Sequence, residues 1–213
     1  MMLSMETAAY AGASVALADD SGELAEQVVI DDPRSVAAKL APCIAALVAR
    51  HKAAPAITTI AVDCGPGSFT GIRIGIATAR GLADGWRCFA SGIAQFDLYS
   101  VPGPPAAVLI DARAGGWYCQ IDAPSQPRFR GFVASADICP VLAKAAPQGI
   151  AFGNAPRELV EAAGWRSADT HTAIDAAAVA RVAHAALASG APCPLEPLYL
   201  HPGFFRRAHD AAC

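Results

Sequence analysis

With 213 residues, 54% of them hydrophobic and 16% charged, the chain is long enough to bury a core and too apolar to be disordered. Its net charge of −3 excludes a global basic field, so strong nucleic-acid binding by this chain unaided is not expected. No apolar run reaches the roughly 18–20 residues of a membrane span and the N-terminus has no basic segment, so a cytoplasmic protein is expected, with no membrane contact.

Residues 2–7, 13–18 and 23–30 read as three short strands joined by turns at 10–12 and 19–22. Residues 34–52 form an amphipathic helix, and the β-branched run 57–62 is a buried strand. Gly65-Pro66-Gly67-Ser68 is turn chemistry, and from about Thr70 to Asp84 the apolar residues return at helical spacing, with Ser68 or Thr70 as the cap. Glycine inside a helix costs roughly 1 kcal/mol relative to alanine, yet Gly71 and Gly75 recur with Ala79 every four residues as a groove of small side chains. Such a groove lets another backbone approach closely. Arg73 and Arg80 share a further face, with Asp84 spaced for an i,i+4 pair with Arg80. The order β-β-β-α-β-α is that of half of a ribonuclease H-like or actin-like α/β fold.

Beyond a short strand near 88–90 and a short helix over 94–99, the stiff run 101–105 is the expected boundary between domains 1–101 and 102–213. Strands follow at 106–110, 117–121 and 128–133, then a helix over 135–146. A strand at 150–155 runs into a glycine turn at Gly153-Asn154, and a short helix covers 156–163. An alanine-rich helix over 173–189 is capped by Asp175 and ended by Gly190. Two tandem lobes with central mixed sheets are expected, the second smaller.

Chemistry is sparse. The 65–71 loop is either a phosphate cradle or a tight turn leading into a close-packed interface helix. Neither the Walker pattern nor G-x-G-x-x-G fits, because Ile72-Arg73 follows Gly71 and the third glycine is one residue late. Glu6 closes the first strand either as a metal- and phosphate-handling carboxylate or as a solvated one. The histidines contain no H-x-x-x-H pair, and Ser68 has no base evident in the sequence, so no catalytic or metal residue is assigned. Cys64 is either a packed strand-end thiol or one with a lowered pKa near a helix N-terminus. The seven cysteines show no C-x-x-C spacing and read as reduced thiols, with no disulfide or zinc site expected. The arginines are scattered apart from Arg206-Arg207.

The run Gly65-Pro66-Gly67-Ser68-Phe69-Thr70-Gly71-Ile72-Arg73-Ile74-Gly75, followed by Ala79-Arg80-Gly81-Leu82-Ala83, resembles the signature of the TsaB (YeaZ) family, once labelled glycoprotease-like. Asp111-Ala112-Arg113 with Gly115 and Tyr118, and Pro197-Leu198-Tyr199-Leu200, extend the likeness. Glu6, where the related ATPases carry aspartate, and His201, where arginine is common, depart from the pattern. The resemblance implies an actin-like fold and a non-catalytic scaffold subunit of the assembly that adds threonylcarbamoyl to the adenosine beside the anticodon of tRNAs. It implies pairing with a TsaD-like catalytic paralogue and a TsaE-like ATPase, with tRNA met only through the complex, and a homodimer when alone. The implied contact surface is Gly71, Ile72, Arg73, Gly75, Ile76, Ala79, Arg80 and Ala83, with the 34–52 helix beside it. ATP or ADP with Mg at a joint interface is the one cofactor implied, with Glu6, Gly65, Gly67 and Gly153 as candidates to line its site. The alternative reading is an actin-like nucleotide-binding hydrolase or kinase relative using the same residues.

Overall fold

A computed structural model describes residues 1–53, 56–99, 101, 103–113, 115–124, 126–168, 174–190 and 193–201; Arg206-Arg207, His171, His209 and Cys213 lie outside them. The chain divides into two units, Met1–Leu98 with Ala173–Leu198, and Tyr99–Thr172 with Tyr199–Cys213.

In the first unit, β1 (Met2–Glu6), β2 (Ala13–Ala18) and β3 (Leu24–Ile30) form an antiparallel meander. Then come α1 (Val36–His51), β4 (Thr59–Asp63), α2 (Phe69–Trp86) and β5 (Phe89–Ile93). The sheet order is β3-β2-β1-β4-β5, with β4 parallel to both β1 and β5. Strands β1 and β4 are buried on both faces, which is why they read as nearly continuous apolar runs. On one face Leu3, Met5, Ile60 and Val62 meet Leu40, Ile44 and Leu47 of α1 and Ile72, Ile76 and Ala79 of α2. Full burial of each large aliphatic side chain contributes roughly 1.5–3 kcal/mol.

The second unit repeats the plan: β6 (Ala106–Asp111), β7 (Gly116–Ala123), β8 (Gln126–Ala134), α3 (Ile138–Ala145), β9 (Ile150–Gly153), α4 (Arg157–Ala162) and β10 (Arg166–Ser167). Its order, β8-β7-β6-β9-β10, matches that of the first sheet position by position. The fold is therefore the expected α/β actin-like one, two lobes each with a mixed sheet. The second lobe is the slighter: α4 has 6 residues where α2 has 18. The two-residue strand β10 is too short to leave a period in the sequence.

The division of the chain differs from the expected 1–101 and 102–213. Helix α5 (Ala176–Ala188) returns to the first unit and covers the other face of its sheet, packing Ala178, Val179 and Ala183 on Met2, Ala18, Ala61 and Ile93. Hydrogen bonds hold its start in place. Ser4 Oγ donates to Ala176 O (2.7 Å), the Ala176 N–H to Ser14 Oγ (2.8 Å) and the Ala177 N–H to Gln27 Oε1 (2.9 Å). Asp175 caps the helix as expected, accepting from the Ala178 N–H at 2.8 Å.

Among the described residues no helix is long and apolar enough to cross a membrane. Gly81 and Gly85 of α2 face open space, where an added Cβ would meet nothing within 4 Å. Gly81→Ala is therefore expected to raise stability by about 0.5–1 kcal/mol, seen as a higher urea midpoint with an unchanged slope.

Candidate functional site

Ser68 caps α2, its Oγ accepting the Gly71 N–H at 3.2 Å, so Thr70 is the second residue of the helix rather than its cap. With 3.6 residues per turn, Gly71, Ile72, Gly75, Ile76 and Ala79 all fall on one face, and that face is buried in the chain's own core. A Cβ at Gly71 would overlap the carbonyl oxygen of Thr7, and one at Gly75 would overlap Thr7 Oγ1 and lie 3.0 Å from Val62 Cγ2. The groove of small residues, expected to receive a partner, is thus filled by the end of β1. The sequence showed a groove correctly but could not show which backbone lies in it. Five of the eight expected interface residues are inside for this reason; Arg73 and Arg80 are exposed and Ala83 is half-buried.

The opposite face of α2 is a second stripe of small and cationic residues. Arg73, Ala77, Arg80, Gly81, Asp84 and Gly85 are exposed, and Ile74, Thr78, Leu82 and Ala83 are half-buried. Helix α1 packs beside it and turns outward Ala37, Ala38, Ala41, Ala45, Ala46 and Ala49, with Lys39 and Pro42 among them and Arg50 and His51 at its end. The arginines at its border are positioned. The Arg73 guanidinium lies 3.7 Å from the centroid of the Phe69 ring. Arg80 Nη2 donates to Leu195 O at 2.7 Å rather than pairing with Asp84.

The nucleotide candidates do not assemble a cradle. The Ser68 N–H donates to Ala8 O at 2.7 Å, and a Cβ at Gly67 would overlap that same oxygen. A Cβ at Gly65, where φ is +93°, would lie 2.5 Å from Ile72 Cδ1. Both glycines serve the approach of the chain to itself. Gly153 does likewise in the second unit, closing onto Leu109 O while Asn154 Oδ1 accepts the Asp111 N–H at 2.8 Å. Asp111 and Arg113, which flank a turn, form an ion pair at 3.3 Å.

Glu6 is not a solvated strand end. It and Asp63 close the adjacent parallel strands β1 and β4 and are 2% and 0% exposed. Glu6 Oε1 accepts the Ala9 N–H at 2.7 Å and Asp63 Oδ1 the Gly65 N–H at 2.7 Å, while Asp63 Oδ2 has no hydrogen-bond partner. Burial, and then the charge of Asp63, pushes Glu6 up to about 8. Burial likewise pushes Asp63 up to about 7, against the lowering pull of the Gly65 N–H and the Gln95 side chain. Both carboxyls thus accept backbone N–H groups of the turns that follow their strands. Among the described residues no group of three His, Cys, Asp or Glu side chains is placed to hold a metal ion. Cys64 is the packed thiol rather than the activated one: burial, with Asp63 nearby, pushes it up to about 12.

The family model described as TsaD: tRNA N6-adenosine threonylcarbamoyltransferase matches residues 33–125, a span that includes α1 and α2. Among solved structures, the chain resembles an uncharacterized Pseudomonas aeruginosa protein described as similar to peptidase YEAZ. The two are 25% identical with a TM-score of 0.69, over 94% of this chain and 99% of that one. YeaZ from Pseudomonas aeruginosa is 23% identical with a TM-score of 0.69, over 93% and 99%. No curated protein matches.

Proposed function

We propose that this chain, similar to the TsaD family model and to YeaZ structures, is a member of the TsaB (YeaZ) family and a non-catalytic scaffold in the assembly that attaches threonylcarbamoyl to the adenosine beside the anticodon of tRNAs. The observation that carries this reading is the outer surface of α1 and α2. Two neighbouring helices present alanine and glycine where surface helices ordinarily carry long charged side chains. Small side chains let helices from another subunit approach closely, and two from each side make a four-helix seam. A TsaD-like catalytic paralogue is the partner, since the matched TsaD family span contains this very pair of helices. Arg73, Arg80 and Ala83 stay in the contact surface, and Ala77, Gly81, Gly85 and the α1 alanines replace the five buried residues.

In the absence of that partner, a second copy occupies the same face, giving a homodimer. A TsaE-like ATPase joins the complex, any ATP or ADP with Mg is held at a joint interface, tRNA is reached only through the assembly, and the work is done in the cytoplasm. A chain with net charge −3 suits a subunit that leaves tRNA binding to others.

The test is co-purification with the TsaD-like protein, using Ala45→Arg with Gly81→Trp. Both positions are exposed, and a Gly81 side chain meets only open space. Expected is a folded double variant with an unchanged circular dichroism spectrum, no co-purification and no support of tRNA modification. Retained pairing would place the contact elsewhere. Modification that proceeds equally well without this chain would remove the scaffold role itself.

A further inference from the structure

Residues 193–198 form a strap across the end of β4 and β5 in the first unit. The Gly92 N–H and Ser91 Oγ both donate to Cys193 O, at 3.2 and 3.4 Å, and Cys193 forms an isolated antiparallel bridge with Gly92. At the other end of the strap the Leu198 N–H donates to Cys64 O at 2.8 Å. Between them, Leu195 O holds Arg80 of α2.

Gly92 brings two cysteines to one place. Its missing side chain leaves room that Cys64 fills: Sγ lies 2.6 Å from where a Gly92 Cβ would stand. Partners in an antiparallel bridge direct their side chains to the same face of the sheet. Cys193, the bridge partner of Gly92, therefore directs its own Cβ to the face on which the Cys64 sulfur rests. The strap closes over that sulfur: the Pro194 carbonyl oxygen lies beside the same Gly92 Cβ position, and the Leu198 N–H is bonded to Cys64 O. Cys64 is buried and Cys193 half-exposed, so one sulfur is reachable from solvent and the other is sheltered behind it.

We propose that Cys64 and Cys193 are a reversible redox pair whose disulfide staples the 193–198 strap onto the end of β4. The oxidant is a low-molecular-weight disulfide such as oxidised glutathione. The Cys193 thiolate attacks one of its sulfurs, forming a mixed disulfide and expelling one thiolate. The Cys64 thiol then gives up its proton and attacks the Cys193 sulfur, expelling the second thiolate. Two protein S–H bonds are replaced by one S–S bond, and the oxidant leaves as two thiols. The high pKa of Cys64 makes the second step the slow one and speeds it as pH rises. The staple fixes Leu195 and, through its carbonyl, Arg80. Any effect on pairing rests on the docking reading above, whereas the disulfide itself does not.

Trypsin places the two sulfurs on separate peptides, 53–73 and 182–206, each with one cysteine. The full chain is incubated with oxidised glutathione, quenched with iodoacetamide and digested without reduction, and the peptides are weighed. Expected are a 53–73 to 182–206 cross-link, loss of alkylation at both cysteines, and restoration of both by dithiothreitol. In Cys193→Ser, a change at a half-exposed position, Cys64 is expected to remain an unlinked thiol. Full alkylation of both cysteines after oxidation, Cys193 recovered only as the glutathione adduct, or either sulfur joined to a different cysteine overturns the proposal. Failure of TsaD pairing with the cross-link intact would count against the docking reading alone.

Discussion

Gly75→Leu is expected to abolish the soluble folded protein, and through the fold rather than through a partner contact. The first atom of the new side chain would overlap Thr7 Oγ1, just past the end of β1, and crowd Val62 Cγ2 on β4. Neither has room to yield: β1, which leads into Thr7, is paired on both sides by β2 and β4, and β4 by β1 and β5. Overpacking of a well-filled core costs about 1–3 kcal/mol and more where backbone must shift, against a total stability of about 5–15 kcal/mol. A cost of about 3 kcal/mol or more should appear as loss of soluble yield or a collapse of the melting temperature. Gly81→Leu is the control, since the same side chain there meets nothing within 4 Å and should melt close to the parent. Equal melting of the Gly75 variant and the parent would mean that the small-residue groove is open after all.

Stability is expected to fall as pH rises from about 4 to about 8, and the cause is the Glu6–Asp63 pair. Burial raises Glu6 from 4.5 to about 8 and Asp63 from 3.8 to about 7. Below the unfolded values both carboxyls are protonated in both states, and their contribution to stability is fully present. Above them the unfolded chain releases its protons while the folded chain keeps them, so the folded state loses about 1.4 kcal/mol per pH unit for each proton withheld. The loss ends once pH has passed the folded values. Urea unfolding across this range should show the decline in the parent and a flatter profile in Glu6→Gln/Asp63→Asn, which keeps an acceptor oxygen at each position without a titrating proton. A parent that gains stability over the same range, or a double variant with an identical slope, would remove the pair as the cause.

Much of the architecture is legible in the sequence. The β-β-β-α-β-α order, the Ser68 and Asp175 caps and the glycine-rich turn are local patterns, and local patterns survive into the fold because backbone hydrogen bonds and side-chain periodicity are themselves local. The candidate site was legible only by half. Of the residues expected to meet a partner, Arg73 and Arg80 are exposed on α2 and Ala83 is half-buried, while Gly71, Gly75 and Ala79 are buried. A small residue in a helix signals close approach without saying what approaches, and Thr7, which does, lies 64 residues before Gly71. The outer stripe of Ala77, Gly81 and Gly85 carries the same four-residue spacing and was the signal that could have found the exposed face. In the sequence Glu6 reads as either a ligand-handling or a solvated carboxylate. It is buried against Asp63 because β1 and β4 became neighbours, which no window along the chain contains.

By itself the sequence determined the elements, their order, the repeated α/β plan and the glycine positions where something must pass close by. Periodicity and turn chemistry are written residue by residue, and each acts over a few positions. Only the tertiary structure decided what each close approach is for: Gly71 and Gly75 for Thr7, Gly92 for Cys64, and the return of α5 to the first sheet across the whole second unit. Those contacts join residues 28 to 172 positions apart, and the return of α5 follows because an apolar sheet face left open at residue 98 must be covered by whatever part of the chain reaches it.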